Sequence, residues 1–170
     1  MGTAFTGGPV TFERLLALAI SFTGTVALWW NYFERAEGIA VEATERPEDA
    51  GPIGWWGTVT LTLIVVALIA VAVGDELAIA HPDDDATLGF TVLTFGGPAL
   101  FLLAQAVFLR AALGRIPRSR PLAIAALVIL AIATAPLPLI AGITASTAVL
   151  VAVAIPHTAG RSNQAQNTAS

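Results

Sequence analysis

The chain contains no cysteine and no lysine. The first absence excludes disulfides, thiolate metal sites and a cysteine nucleophile. The second excludes a lysine Schiff base and a Walker-type phosphate lysine. Charge of either sign is scarce: 12% of the 170 residues are charged, where a soluble domain carries about 25%. Hydrophobic residues make up 56% and the mean hydropathy is +0.78. Such a chain lacks the polar surface to stay in water, and its apolar runs separated by charged loops indicate an all-α integral membrane protein. A net charge of −4 and a pI near 5 argue against nucleic acid, which requires basic patches. The lipid bilayer is the expected partner.

A helix needs about 20 residues to cross roughly 30 Å of hydrocarbon. Runs of that kind extend from Phe12 to Phe33, from Trp55 to Ala80 and from Gly89 to Arg110. The apolar region after Pro121 is too long for one crossing and is interrupted by Pro136 and Pro138. It reads as two short helices, Pro121–Ala135 and Leu139–Ile155, joined at the Pro-Leu-Pro turn. About five transmembrane helices result. They form a single membrane domain over 12–155, with a short exoplasmic N-terminus at 1–11 and a polar, disordered tail at 156–170. The fourth helix reaches only about 22 Å, so it is either re-entrant or extends through Arg120 with its arginines snorkelling to the surface. The first run has no basic residue ahead of it and no small-residue cleavage site, so it is expected to be a retained signal-anchor helix. "MGTAFT" fits a myristoylation pattern, which a chain already crossing the membrane does not need.

Arginine placement sets the expected orientation. "RAALGRIPRSR" carries Arg110, Arg115, Arg118 and Arg120 and no acid, whereas "HPDDD" carries three aspartates and no arginine. The positive-inside rule puts the arginine loop in the cytoplasm and "HPDDD" outside. The N-terminus is then outside and the C-terminus cytoplasmic, in a multi-pass protein of the cell membrane. Arg14 alone among the eight arginines opposes this arrangement. The Arg35–Gly54 loop, rich in acids, carries no readable motif.

Polar and aromatic features inside the spans carry the functional expectations. Trp29 and Trp30 close the first span and Trp55 and Trp56 open the second, positions that suit an interfacial aromatic belt better than a cage for a cationic ligand. Ala17, Ser21 and Thr25, beside Gly24, make a small-residue packing face. In the third span Gly96, Gly97 and Pro98 predict a helix kink. Thr91, Thr94, Pro98 and Gln105 fall within about 60° of one another. That stripe either lines a cavity or supplies interhelical hydrogen bonds to groups released by the proline.

The second span ends in "GDELAIAHP", which places Asp75, Glu76 and His81 close to the outer boundary. Asp75 and Glu76 point about 100° apart, and Glu76 and His81 about 140°. No pair has the i, i+4 spacing of two ligands on one helix, so no metal and no cofactor is expected. Glu76 shares a face with Thr58 and Thr62, which predicts that Glu76 turns inward, where it titrates or pairs with Arg14, and that Asp75 looks sideways. An interfacial cap followed by a proline stop is the competing reading.

"LWWNYFE", "GDELAIAHP", "GGPALFLLAQAVF" and "GRIPRSR", in this order and spacing over about Thr25–Ile155, resemble the low temperature requirement A protein family. The family comprises bacterial multi-spanning membrane proteins of about twice this length, and the resemblance is to its C-terminal half. It covers Glu76, His81 and Pro82, whereas Asp75 stands where an apolar residue is expected. Family members often carry histidines near the start of the second span and at the position of Gln105; here those regions read "WWGTVTLT" and "AQAVF". The family name records a cold-growth phenotype and implies no reaction. The resulting expectation is a non-enzymatic membrane protein that assembles with itself or with another membrane chain. The alternative is a small proton- or ion-coupled transporter. Its candidate coupling residues are Glu76, Asp75, His81, Gln105 and Arg14.

Overall fold

The computed structural model describes residues 11–45, 50–113 and 118–155, with the backbone alone over 34–45, 50–54, 56 and 112–113. The expected N-terminal segment 1–10, the tail 156–170, Arg46, Arg115 and the Trp56 side chain lie outside the described residues. Five helices follow one another: α1 (Phe12–Glu45), α2 (Ala50–Ala80), α3 (Leu88–Leu113), α4 (Ser119–Thr134) and α5 (Leu139–Ala154). Three segments, Phe12–Phe33, Gly57–Ala80 and Leu88–Ala111, are long and apolar enough to cross a membrane. At 16 residues each, α4 and α5 are about 24 Å long.

Two boundaries depart from the sequence expectation. The presumed loop between the first two spans is mostly helical, because α1 continues to Glu45 and α2 starts at Ala50. The extension of α1 reads "ERAEGIAVEATE", rich in the strong helix formers Ala and Glu. Helix α4 starts at Ser119, which puts Pro121 in its first turn, where a missing N–H costs no intrahelical bond. Arg120 does not snorkel. It is fully buried and engaged at that end of the bundle.

The helices run up and down. The loop after α2 and the turn after α4 meet at one end, where Leu139 N–H donates to the Asp84 carbonyl and Ile140 N–H to the Pro82 carbonyl, both at 3.1 Å. Arg14, near the start of α1, reaches the same end and donates from Nη2 to the Ala80 carbonyl at 3.1 Å. Short as it is, α5 packs against each of the other four helices. The α2–α3 pair is drawn close by glycine. A Cβ on Gly97 would sit 2.8 Å from Val71 Cγ2 and 3.1 Å from the Ala67 carbonyl oxygen. Buried Leu28, Ile64, Phe101, Leu102, Leu127 and Leu150 fill the centre. Leu61, Val65, Ile69 and Val73 of α2 point outward, as expected of a helix whose surroundings are as apolar as its packing partners.

Candidate functional site

The α3 helix runs unbroken through Gly96, Gly97 and Pro98. Pro98 has no N–H, so the carbonyl four residues back, on Thr94, loses its helical donor. Ser146 of α5 fills that position: its Oγ donates to the Thr94 carbonyl at 2.9 Å. Both residues are buried. The hydroxyl hydrogen of Ser146 is thereby committed, while its lone pairs are still available.

Around this bond lies a small, partly open cavity of about 10 Å³, just enough for a single water-sized occupant. It is lined by Gly24 of α1, Asp75 of α2, Thr94 and Pro98 of α3, and Ser146 and Thr147 of α5. Val71, Ile143 and Leu150 close its apolar side. The Ser21 hydroxyl, itself buried, lies beside the Asp75 carboxylate without strict hydrogen-bond geometry. The Thr94 hydroxyl is buried and has no hydrogen-bond partner among the described residues. Asp75 is five residues from the end of α2, which puts the site about 8 Å in from that end.

The two carboxylates thus take opposite positions to those expected. Asp75 lines the interior cavity and Glu76 is exposed. Thr58 and Thr62 do share a face with Glu76, but that face points outward. The reason is chemical: Thr62 Oγ1 donates to the Thr58 carbonyl of its own helix at 3.0 Å, so a threonine can face lipid with its hydroxyl satisfied. The true inward face of α2 is marked by small residues, Ala67, Gly74 and Ala78, all buried.

The other candidates are spread out. His81 and Asp84 approach to 3.6 Å, both well exposed, in the loop after α2. Among the described residues no three His, Asp or Glu side chains come together as a metal site would need. Of the α3 stripe, Thr94 and Pro98 reach the cavity, while Thr91 bonds back to the Thr87 carbonyl at 3.1 Å. Gln105 is buried about 16 Å further along the helix and donates to the Asn31 carbonyl at 3.4 Å. Asn31, which the sequence reading passed over, is itself buried and donates to the Ala27 and Leu150 carbonyls at 2.8 and 3.3 Å. Trp29, Trp30 and Trp55 are exposed on the outer surface, with Trp29 and Phe33 rings 4.8 Å apart.

A sequence model described as the bacterial low temperature requirement A protein (LtrA) family matches residues 1–155. The chain belongs to the LtrA family. The match reaches upstream of the motif-bearing stretch 25–155 and covers nearly the whole chain, so the likeness is not confined to a C-terminal half. A protein of Rhizobium meliloti (strain 1021), described as uncharacterized, is 34% identical over 109 residues, 59% of this chain and 26% of that relative. The chain therefore spans about a quarter of the length of the curated relative it matches. No solved structure is a significant match.

Proposed function

We propose that this LtrA-family protein is an ion-coupled membrane transport module in which Asp75 carries a proton or a small cation. One observation carries the reading: a carboxylate on a membrane-length helix faces a small cavity between helices that also receives Thr94, Ser146 and Thr147. Intramembrane ionisable groups are costly, and those that face a bundle interior mark ion and proton pathways. Helix α3, interrupted in its hydrogen bonding at Pro98, supplies the neighbouring wall, as in transporters whose midplane sites use irregular helices. No enzymatic step belongs to the proposal. The orientation follows the arginines: the 81–87 loop lies outside, the Arg110–Arg120 side is cytoplasmic, and α4 and α5 cross as a hairpin to complete five spans.

The test is flux. The full chain in lipid vesicles, under an imposed pH or cation gradient, is expected to dissipate the gradient, with Glu76→Gln active and Asp75→Asn inactive. Equal flux from the wild type and Asp75→Asn, or no flux above that of protein-free vesicles, sinks the reading.

A second reading, assembly with another copy or another membrane chain, is favoured by the thinness of a five-helix bundle in which α4 and α5 are only 16 residues each. A strictly monomeric mass in mild detergent would count against it.

A further inference from the structure

The chemistry of the cavity narrows the ion. Every polar group reaching it is an oxygen: the Asp75 carboxylate, the hydroxyls of Thr94, Ser146 and Thr147, and Ser21 beside the carboxylate. Among the described residues no arginine or histidine lines it. An anion would meet only lone pairs and a negative charge, so it is excluded. The Ser146 hydroxyl hydrogen is held by the Thr94 carbonyl, which aims oxygen lone pairs, rather than a donor, at the space.

A protonated Asp75 would offer a single O–H donor to one of the neighbouring hydroxyl oxygens, whereas a cation is coordinated by several of them at once. The buried Thr94 hydroxyl has no hydrogen-bond partner among the described residues. A buried polar group left in that state is unusual and calls for an occupant that satisfies it. Hydroxyl and carboxylate oxygens together are what a hard, oxygen-seeking cation coordinates. Size and charge restrict the cation further. About 10 Å³ holds one particle the size of a water molecule, so a hydrated ion or an organic cation is too large. A single carboxylate balances one positive charge, whereas protein sites for divalent calcium gather several.

On these grounds we infer that Asp75, Thr94 and Thr147, with the lone pairs of Ser146 and with Ser21 beside the carboxylate, form a binding site for one dehydrated monovalent alkali cation such as sodium. The inference rests on the transport reading above and names its coupling ion. Gly24 sets the dimensions: a Cβ there would lie 2.9 Å from Thr147 Oγ1.

The experiment is thermal unfolding of the full chain in mild detergent, at fixed pH and ionic strength, with sodium replaced by potassium or choline. Sodium is expected to raise the midpoint saturably relative to choline, and potassium to compete for the same site. Asp75→Asn should abolish the sodium response, and Glu76→Gln should keep it. Thr94→Val removes a hydroxyl that has no partner among the described residues, so it should fold without sodium while weakening sodium binding at least tenfold. No difference between sodium and choline, a response that survives Asp75→Asn, or undiminished affinity in Thr94→Val would each overturn the site. Proton flux that depends on Asp75 without any sodium response would remove this inference and leave the transport reading standing. A sodium response with no flux would do the reverse.

Discussion

The bond from Ser146 to the Thr94 carbonyl invites a double-mutant cycle, because Pro98 is the reason the bond is needed. Removing the serine hydroxyl (Ser146→Ala) leaves a buried carbonyl with neither its helical N–H nor its interhelical donor. An acceptor stranded in this way costs about 1–3 kcal/mol. Measured interhelical hydrogen bonds in membrane proteins average only about 0.6 kcal/mol and reach about 1.7. Here the competing helical partner is missing even from an isolated α3, so a value near the upper end, about 1–2 kcal/mol, is expected. Pro98→Ala returns an N–H four residues from Thr94 and restores the bond within the helix. In that background Ser146→Ala should cost about 0.5 kcal/mol or less, giving a coupling of about 1 kcal/mol. Denaturation of all four variants in mild detergent, followed by tryptophan fluorescence, measures the cycle. Additive effects would refute the idea that the serine answers the proline.

The adjacent glycines of α3 should behave oppositely. A Cβ on Gly97 would press on the α2 backbone, whereas one on Gly96 would meet only Val92 Cγ1 of its own helix at 3.8 Å. Both Gly→Ala changes gain the same helix propensity, so the gap between them isolates the clash, about 1–3 kcal/mol against Gly97→Ala in the same unfolding assay. Equal stabilities would refute the close α2–α3 contact. Arg14→Ala removes a charged donor from the carbonyl end of α2 and should lower stability by about 0.5–1 kcal/mol. Arg14→Lys should recover part of that loss, and an unchanged midpoint for Arg14→Ala would refute the cap.

Much of the architecture was legible because hydrophobic length and proline position are strong local signals. The three long spans and the turn at Pro136–Pro138 follow from them. The helical step of 100° likewise puts Thr94, Pro98 and Gln105 of the expected stripe on the buried side, while Thr91 bonds back to its own helix. Helix direction around the axis was less legible, and α2 shows why. Threonine in an apolar span points to the interior by its polarity, yet a threonine that bonds its own helix is indifferent to lipid. Alanine and glycine carried the better signal, since close backbone approach requires them. Ser146 was missed for a different reason. The sequence shows that Pro98 releases a carbonyl but does not say which helix lies opposite it.

That correction also explains why Asp75, and not Glu76, reaches the cavity. The interior side of α2 is the side that approaches α3 most closely, with a hypothetical Cβ on Gly74 only 2.8 Å from Thr94 Oγ1. A side chain directed there has little length to spend, and aspartate is one methylene shorter than glutamate. The same glycines that let α2 meet α3, and α1 meet α5, bring oxygens from these helices around a volume no larger than a water molecule. Under the proposed ion site, packing and ion selection are therefore not separable. A change that widens the contact, such as Gly24→Ala against Thr147, alters the size of the site even though it removes none of the oxygens.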